Sequence, residues 1–280
     1  MAIILDGKAM ASTIRSKIKD RVSTIATKPG LAIILVGDDP ASHVYVNLKQ
    51  KACEEVGIHL EKFLYASDVS EQVLIEKIRE LNELEDINGI LVQLPLPMQN
   101  ADRVIAAIDP KKDVDGFHPK NLESLRNGNP FLIPAVALGI MKLIDRAILK
   151  DRTVKRNAVI VSSDFFADPL SHLLREYNIT SKVTRPDDPN FRNKTKSADI
   201  LIVALGQPNF ITANDIKSGS ILIDVGTTKV DGKLVGDIDR TSVEPIAYAL
   251  SPVPGGVGPM TIAMLLVNVL NAFQTNGAKK

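Results

Sequence analysis

The chain contains no tryptophan and a single cysteine, and aromatic residues make up only 4% of its 280 positions. One cysteine, Cys53, excludes an internal disulfide and fits a reducing compartment. Charge of one sign is also missing. The formal net charge is +1, so no broad field favours nucleic acid or an anionic membrane. No uninterrupted apolar run of about 20 residues is present, so no membrane span is expected. The start, Met-Ala-Ile-Ile-Leu-Asp-Gly-Lys, lacks a basic segment followed by a long apolar one. No nucleic-acid or membrane partner is therefore expected, and the expected location is cytoplasmic. The four histidines, His43, His59, His118 and His172, show no ligand spacing, and no metal site is expected.

What is present is an ordinary globular composition, 45% hydrophobic and 24% charged, long enough for two domains. Short β-branched runs alternate with helical periodicities. Ile3 to Leu5 reads as a strand, and Met10, Ile14, Ile18, Val22 and Ile25 mark a helix over roughly 7–26. Leu31 to Val36 is a buried strand. Ser42 is read as the cap of a helix ending at Gly57. Leu60 to Tyr65, a helix opened by Ser70, and Gly89 to Leu94 continue the pattern. Residues 109–134 read as a loop and domain junction. Beyond it come a helix through Ile140 and Ile148, then strands at 158–161, 181–184, 199–205 and 221–225. A helix is read at 169–175, an Asp-Gly hairpin over 230–235, and a last helix over 261–273. The fold class is α/β, with parallel sheets covered by helices.

Four segments could carry chemistry. In Ser42-His43-Val44-Tyr45-Val46-Asn47-Leu48-Lys49, Tyr45 and Lys49 are four apart and share a helix face, with Val44 and Leu48 expected to face the core. A lysine against an apolar wall loses part of its preference for charge and can transfer protons. A tyrosine one turn away can stack on a flat heterocycle. Spacing alone favours an ordinary amphipathic helix. In Gly89 to Pro97, Gln93 ends a buried strand, where open α/β sheets place ligands, and its amide can donate and accept at once. A glutamine that satisfies loop backbone is an equal reading. In Lys111-Lys112-Asp113-Val114-Asp115-Gly116 a carboxylate could accept from an amino-pyrimidine, although an Asp-Gly turn explains the segment alone. Finally, Pro252 to Thr261 holds Gly255, Gly256 and Gly258, more glycine than a tight turn needs, which favours a functional loop.

Taken in this order, the four segments resemble the bifunctional methylenetetrahydrofolate dehydrogenase/methenyltetrahydrofolate cyclohydrolase family, from Leu5-Asp6-Gly7-Lys8 to about Asn271. The resemblance implies two α/β domains around a cleft, the second Rossmann-like. Residues 1–120 plus 259–280 would form the folate-binding catalytic domain, and 121–258 the dinucleotide-type domain. It makes Lys49 the catalytic residue, lays Tyr45 against the folate ring, lets Gln93 support the lysine and the one-carbon centre, and assigns Asp115 to the pterin. Leu94, Pro95, Gly255, Gly256 and Pro259 would complete the folate contacts. Tetrahydrofolate would be the substrate carrier, NADP the cofactor and a homodimer the assembly.

The departures from the family pattern fall on the dinucleotide side. Pro134-Ala135-Val136-Ala137 replaces Pro-Cys-Thr-Pro. Ser162-Ser163-Asp164-Phe165-Phe166-Ala167-Asp168-Pro169 lacks the family's glycines and arginine. Thr184 to Asp188 replaces a Cys-His-Ser segment, and Asp224-Val225-Gly226-Thr227-Thr228 replaces Asp-Val-Gly-Ile-Asn. A pyrophosphate wants glycine and free N–H groups at a helix start. Asp168, before Pro169, has the form of an N-cap that would occupy one donor. Asp164 and Asp168 would face phosphate, and like charges ~4 Å apart repel by about 1 kcal/mol in water and roughly 4 at an intermediate dielectric. The cofactor candidates are Ser162, Ser163, Asp164, Gly206 and Thr227, with Arg185 a substitute for the missing arginine. Weak or lost NADP binding and a remodelled loop that still binds a dinucleotide are both open. The functions that compete are the bifunctional enzyme, a cyclohydrolase without dehydrogenase activity, and a folate-binding pseudoenzyme acting through partners.

Overall fold

The computed structural model describes residues 2–148 and 155–277. The first half of the chain runs β1 (Ile3–Ile4), α1 (Gly7–Ser23), β2 (Gly30–Val36), α2 (Pro40–Val56), β3 (His59–Tyr65), α3 (Glu71–Glu83), β4 (Gly89–Val92), α4 (Ala101–Ala106), α5 (Pro119–Arg126) and α6 (Ala135–Ile148). The second runs β5 (Arg156–Val161), α7 (Asp164–Glu176), β6 (Ile179–Thr184), α8 (Phe191–Ser197), β7 (Ile200–Val203), β8 (Ile221–Asp224), β9 (Thr228–Val230), β10 (Lys233–Val235), α9 (Arg240–Val243), β11 (Ala249–Leu250) and α10 (Val257–Gly277).

These elements form two compact units. One joins Ser12–Ala135 to the chain from Ile262 onward, and the other joins Met1–Ala11 to Val136–Thr261. The sequence predicts boundaries at 120/121 and 258/259, with the first residues in the folate domain. The difference at the N-terminus has a backbone cause: β1 pairs in parallel with β11, Ile3 opposite Ala249. Residues 121–135 stay with the preceding chain because Asn268 Nδ2 donates to both Val114 O (2.9 Å) and Ile133 O (2.8 Å).

The three-stranded unit holds a parallel sheet ordered β3-β2-β4. Every residue of β2 is buried, as a continuous apolar run in a doubly covered parallel strand requires. Ala32, Ile34 and Val36 from β2 pack with Leu74, Ile78 and Leu81 of α3 and with Ile90 and Val92 of β4. The sheet of the six-stranded unit is parallel throughout, ordered β1-β11-β8-β7-β5-β6. Val159, Val161, Leu201, Val203 and Leu222 form its core with Phe191 and Val243. The chain goes from β5 to β6 on one side, then crosses to β7 on the other. That reversal makes a topological switch point above the C-terminal ends of β5 and β7.

Several local expectations change. The cap of α2 is Asp39, not Ser42: its carboxylate accepts from Ala41 N and Ser42 N, and Pro40 at the first helical position needs no partner. Val44 and Leu48 face solvent, 55% and 45% exposed, while Ser42, Val46, Lys49 and Cys53 face inward. Helix α7 begins at Asp164 with Ser163 as its cap, so Pro169 lies inside the helix. Asp168 is not an N-cap; its carboxylate lies 3.6 Å from His172 Nε2, one turn on. The stretch 109–134 is not all loop, since it contains α5, capped by His118. The hairpin β9–β10 turns at Asp231 and Gly232, both with positive φ, as a two-residue Asp-Gly loop demands. Within α10, Val257–Thr275 is long and apolar enough to cross a membrane by length and composition, and 56% of it is buried inside the fold.

Candidate active site

The chemistry-bearing residues of the three-stranded unit converge because β4 ends beside α2. Lys49 is buried on the inner face of α2, and its Nζ donates to Gln93 Oε1 at 2.8 Å. Gln93 follows β4 directly; its backbone N–H donates to Ile34 O, and its Nε2 donates to Leu94 O at 2.8 Å. The second bond leaves the amide one orientation in which Oε1 faces the lysine. Burial pulls the Lys49 amine below the ordinary lysine range, against the opposing charge of Asp115. Asp115 is itself pushed up by burial, and the Lys49 charge works against that rise. Tyr45 is half-buried one turn before Lys49. Leu94 is half-buried and Pro95 exposed, joined by a cis peptide bond.

The segment that carries Asp115 is fixed from several sides. Lys112 is buried, and its Nζ donates to Leu81 O, Asn82 O and Leu84 O, the open carbonyls at the end of α3. The Asp113 carboxylate accepts from Gly116 N, His118 N and Asn121 Nδ2, and burial raises it to about 6. Ala135 N donates to Asp115 O. Gly116 has φ +86°, and a Cβ there would lie 2.4 Å from Pro134 N, so only glycine fits. His118 is structural: its Nδ1 accepts from Lys120 N at the start of α5. Among the described residues, no group of three His, Cys, Asp or Glu could hold a metal ion.

Gly255, Gly256 and Pro259 belong to the six-stranded unit. Much of the glycine there serves the chain's own packing. A Cβ on Gly7 would lie 1.9 Å from Gly256 O, one on Gly256 would lie 2.6 Å from Pro252 O, and Lys8 N donates to Gly255 O. The cofactor candidates lie along the C-terminal edge of the same unit's sheet. Ser162 and Ser163 follow β5, Asp164 opens α7, Gly206 lies beyond β7, and Thr227 beyond β8. Ser162 Oγ donates to Ser163 O, and Ser163 Oγ accepts from Phe166 N. Thr228 Oγ1 donates to Gly206 O, linking two of these loops.

Two carboxylates that the sequence does not single out as site residues organise this edge. Buried Asp237 accepts from Leu205 N, Gly206 N and Gln207 N, which sets the loop after β7. Asp224 accepts from Gly226 N, Asp237 N and Ile238 N, and burial raises it to about 7. The signals for them are Asp224-Val225-Gly226 and Gly236-Asp237. Each glycine is required, because a Cβ would enter the facing carboxylate.

Comparison with known proteins places this geometry in one group. Residues 5–115 match the model for the tetrahydrofolate dehydrogenase/cyclohydrolase catalytic domain, and 134–277 match that family's NAD(P)-binding domain. The chain belongs to the tetrahydrofolate dehydrogenase/cyclohydrolase family. The bifunctional protein FolD of Hydrogenobaculum is 46% identical over 276 residues, spanning 97% of this chain and 98% of that protein. Among solved structures, the bifunctional FolD dehydrogenase/cyclohydrolase of Campylobacter jejuni superposes with a TM-score of 0.92 at 37% identity, covering 98% and 99% of the two chains. The Trypanosoma brucei dehydrogenase-cyclohydrolase, solved with NADP cofactor and an inhibitor, gives 0.91 at 33% identity, covering 98% of each. The Rossmann-like assignment of the six-stranded unit agrees with the family, and so does the α/β class. The NAD(P)-binding match runs through every departure from 162 to 228, so the expectation of a lost dinucleotide site has no support.

Proposed function

We propose that the chain interconverts one-carbon forms of reduced folate. It hydrolyses 5,10-methenyltetrahydrofolate to 10-formyltetrahydrofolate and oxidises 5,10-methylenetetrahydrofolate with a nicotinamide dinucleotide. The observation that carries this reading is the buried Lys49 amine held 2.8 Å from Gln93 Oε1, under the influence of the Asp115 charge. A non-catalytic folate binder has no need of a buried, proton-competent amine, so the pseudoenzyme reading lacks support.

In the hydrolytic direction, water oxygen bonds to the electrophilic methenyl carbon and gives up a proton. The carbon–N5 bond then breaks as N5 takes a proton and the adduct's hydroxyl gives up its own to solvent, so the formyl group stays on N10 and one proton is released overall. Neutral Lys49 accepts the water proton and its ammonium form returns one to N5. Gln93 orients the amine by accepting from it, and its own amide is held by Leu94 O. Asp115 offers a carboxylate to the amino-pyrimidine edge of the pterin, and Tyr45 a flat surface to its ring. Leu94, Pro95 and the Gly255–Pro259 loop are proposed contacts of the same substrate. When bound, the nicotinamide supplies a hydride acceptor for the methylene carbon. The six-stranded unit suits a dinucleotide: the switch point lies between β5 and β7, and Asp237 fixes the loop beside it. Ser162, Ser163, Asp164, Gly206 and Thr227 are the residues that would hold it.

Two assays on the same preparation test the reading. One follows loss of methenyltetrahydrofolate against a no-enzyme control, the other NADH or NADPH formation from methylenetetrahydrofolate. Both should exceed background, and Lys49→Met should lower hydrolysis by about 10²–10⁴-fold. Hydrolysis at the wild-type rate in Lys49→Met would overturn the catalytic assignment. The same reading includes a cytoplasmic homodimer. With a single cysteine, Cys53, the chain needs no oxidising compartment to form an internal disulfide, and light scattering reads the assembly directly.

A further inference from the structure

Strands β5 and β6 run side by side from Arg156 opposite Ile179 to Val161 opposite Thr184. The residues that follow them therefore emerge together at one corner of the sheet. There Arg185 Nη2 donates to Asp164 Oδ2 at 2.8 Å, with both side chains more than half exposed. Asp164 is the first residue of α7, and Arg185 is the first residue beyond β6. In the loop that follows, Asp187 adds an exposed carboxylate. Asp188 is already engaged, accepting from Thr184 Oγ1 and Lys194 Nζ. The corner thus holds an arginine whose charge is already balanced, and acid in excess of base.

In doubly wound dinucleotide domains the adenosine ribose lies at the end of the strand that follows the phosphate turn. An acid there takes the 2′-hydroxyl of NAD, and an arginine takes the 2′-phosphate of NADP. We infer that this corner selects the dinucleotide without a 2′-phosphate and that the Asp164–Arg185 pair is the selecting device, an inference that rests on the dehydrogenase half of the proposed function. A 2′-phosphate would have to draw Arg185 away from Asp164 and then sit beside the carboxylate it had displaced, with Asp187 adding to the repulsion. A ribose diol brings two hydroxyl donors, which carboxylates accept without meeting like charge. The residues that depart from the family pattern are then a change of cofactor rather than a loss of one.

Calorimetric titration of the full chain with NAD+ and with NADP+ tests this, on the wild type, Asp164→Asn, Arg185→Ala and the double variant. The wild type should bind NAD+ at least ~10-fold more tightly than NADP+. Asp164→Asn should tighten NADP+ by releasing Arg185, and the double variant should lose that gain. NADP+ binding as tight as NAD+, with Arg185→Ala weakening NADP+ alone, would overturn the inference and make Arg185 a phosphate clamp. Binding of neither dinucleotide would overturn it as well. Hydride transfer from methylenetetrahydrofolate to either dinucleotide, and hydrolysis of methenyltetrahydrofolate, which needs none, are measured on the same wild-type preparation and separate the two failures. Hydrolysis with NADP+ preferred sinks the selector alone, and absence of hydrolysis sinks the folate reading.

Discussion

Lys49 shows how one side chain can be legible as a candidate and illegible as an environment. The i, i+4 spacing from Tyr45 puts the two on one helix face, but the same spacing describes any amphipathic helix. What distinguishes Lys49 is burial and the bond to Gln93, 44 positions away. Because burial lowers its pKa, the neutral base is populated at lower pH than for an exposed lysine. Hydrolysis should climb with pH through that lowered value and then level. Gln93→Glu would set a carboxylate beside the ammonium and move the inflection upward, and a pH–rate profile that does not move would argue against the contact. Asp224 gives a second titration. Its folded value, about 7, is raised, so its contribution to stability is full below the unfolded value and is lost as pH rises through about 7. Comparing urea midpoints of the wild type and Asp224→Asn at pH 5 and pH 8, the balance should shift toward the Asn variant at the higher pH. A shift the other way would mean the carboxylate is not strained by burial.

At the scale of elements, most strands and long helices are legible, because buried parallel strands write uninterrupted apolar runs and helices write a period near 3.6. The short helices are not. Helix α5 lies in a stretch rich in Asp, Pro, Asn and Gly, and it forms there because His118 caps it and Leu122 and Leu125 are buried. The inner face of α2 is hidden for a related reason. Val44 and Leu48 look like core residues, yet the helix turns inward Ser42, Val46, Lys49 and Cys53. Lys112 has the sequence surroundings of a polar loop, whereas its amine closes the end of α3 on three carbonyls. Lys112→Met should therefore cost roughly 2–3 kcal/mol in urea unfolding, since buried hydrogen bonds from a charged donor are lost. A change near zero would show that water replaces the amine freely.

For the whole molecule, the fold class and the two-unit organisation can be read from the alternation of elements, but the membership of the first residues cannot. A two-residue strand carries no pattern that names its partner, and β1 is joined to β11 by backbone hydrogen bonds, Ile3 N to Tyr248 O and Leu5 N to Leu250 O. Removing residues 1–5 should reduce hydrogen-exchange protection at 221–224 and 249–250 while leaving 30–36 and 89–92 protected. Loss of protection in the second pair of segments would place β1 in the wrong unit.

That pairing also sets an order in time. Ile3 is synthesised long before Ala249, the residue it lies opposite. At roughly 5–20 residues per second, the earlier strand waits on the order of 12–50 s for its neighbour to exist. The three-stranded unit includes residues from 262 onward, so it too closes late. During synthesis, then, β1 is an unpaired strand in search of an edge, and the surrounding cell, rather than the finished protein, must keep it from finding the wrong one.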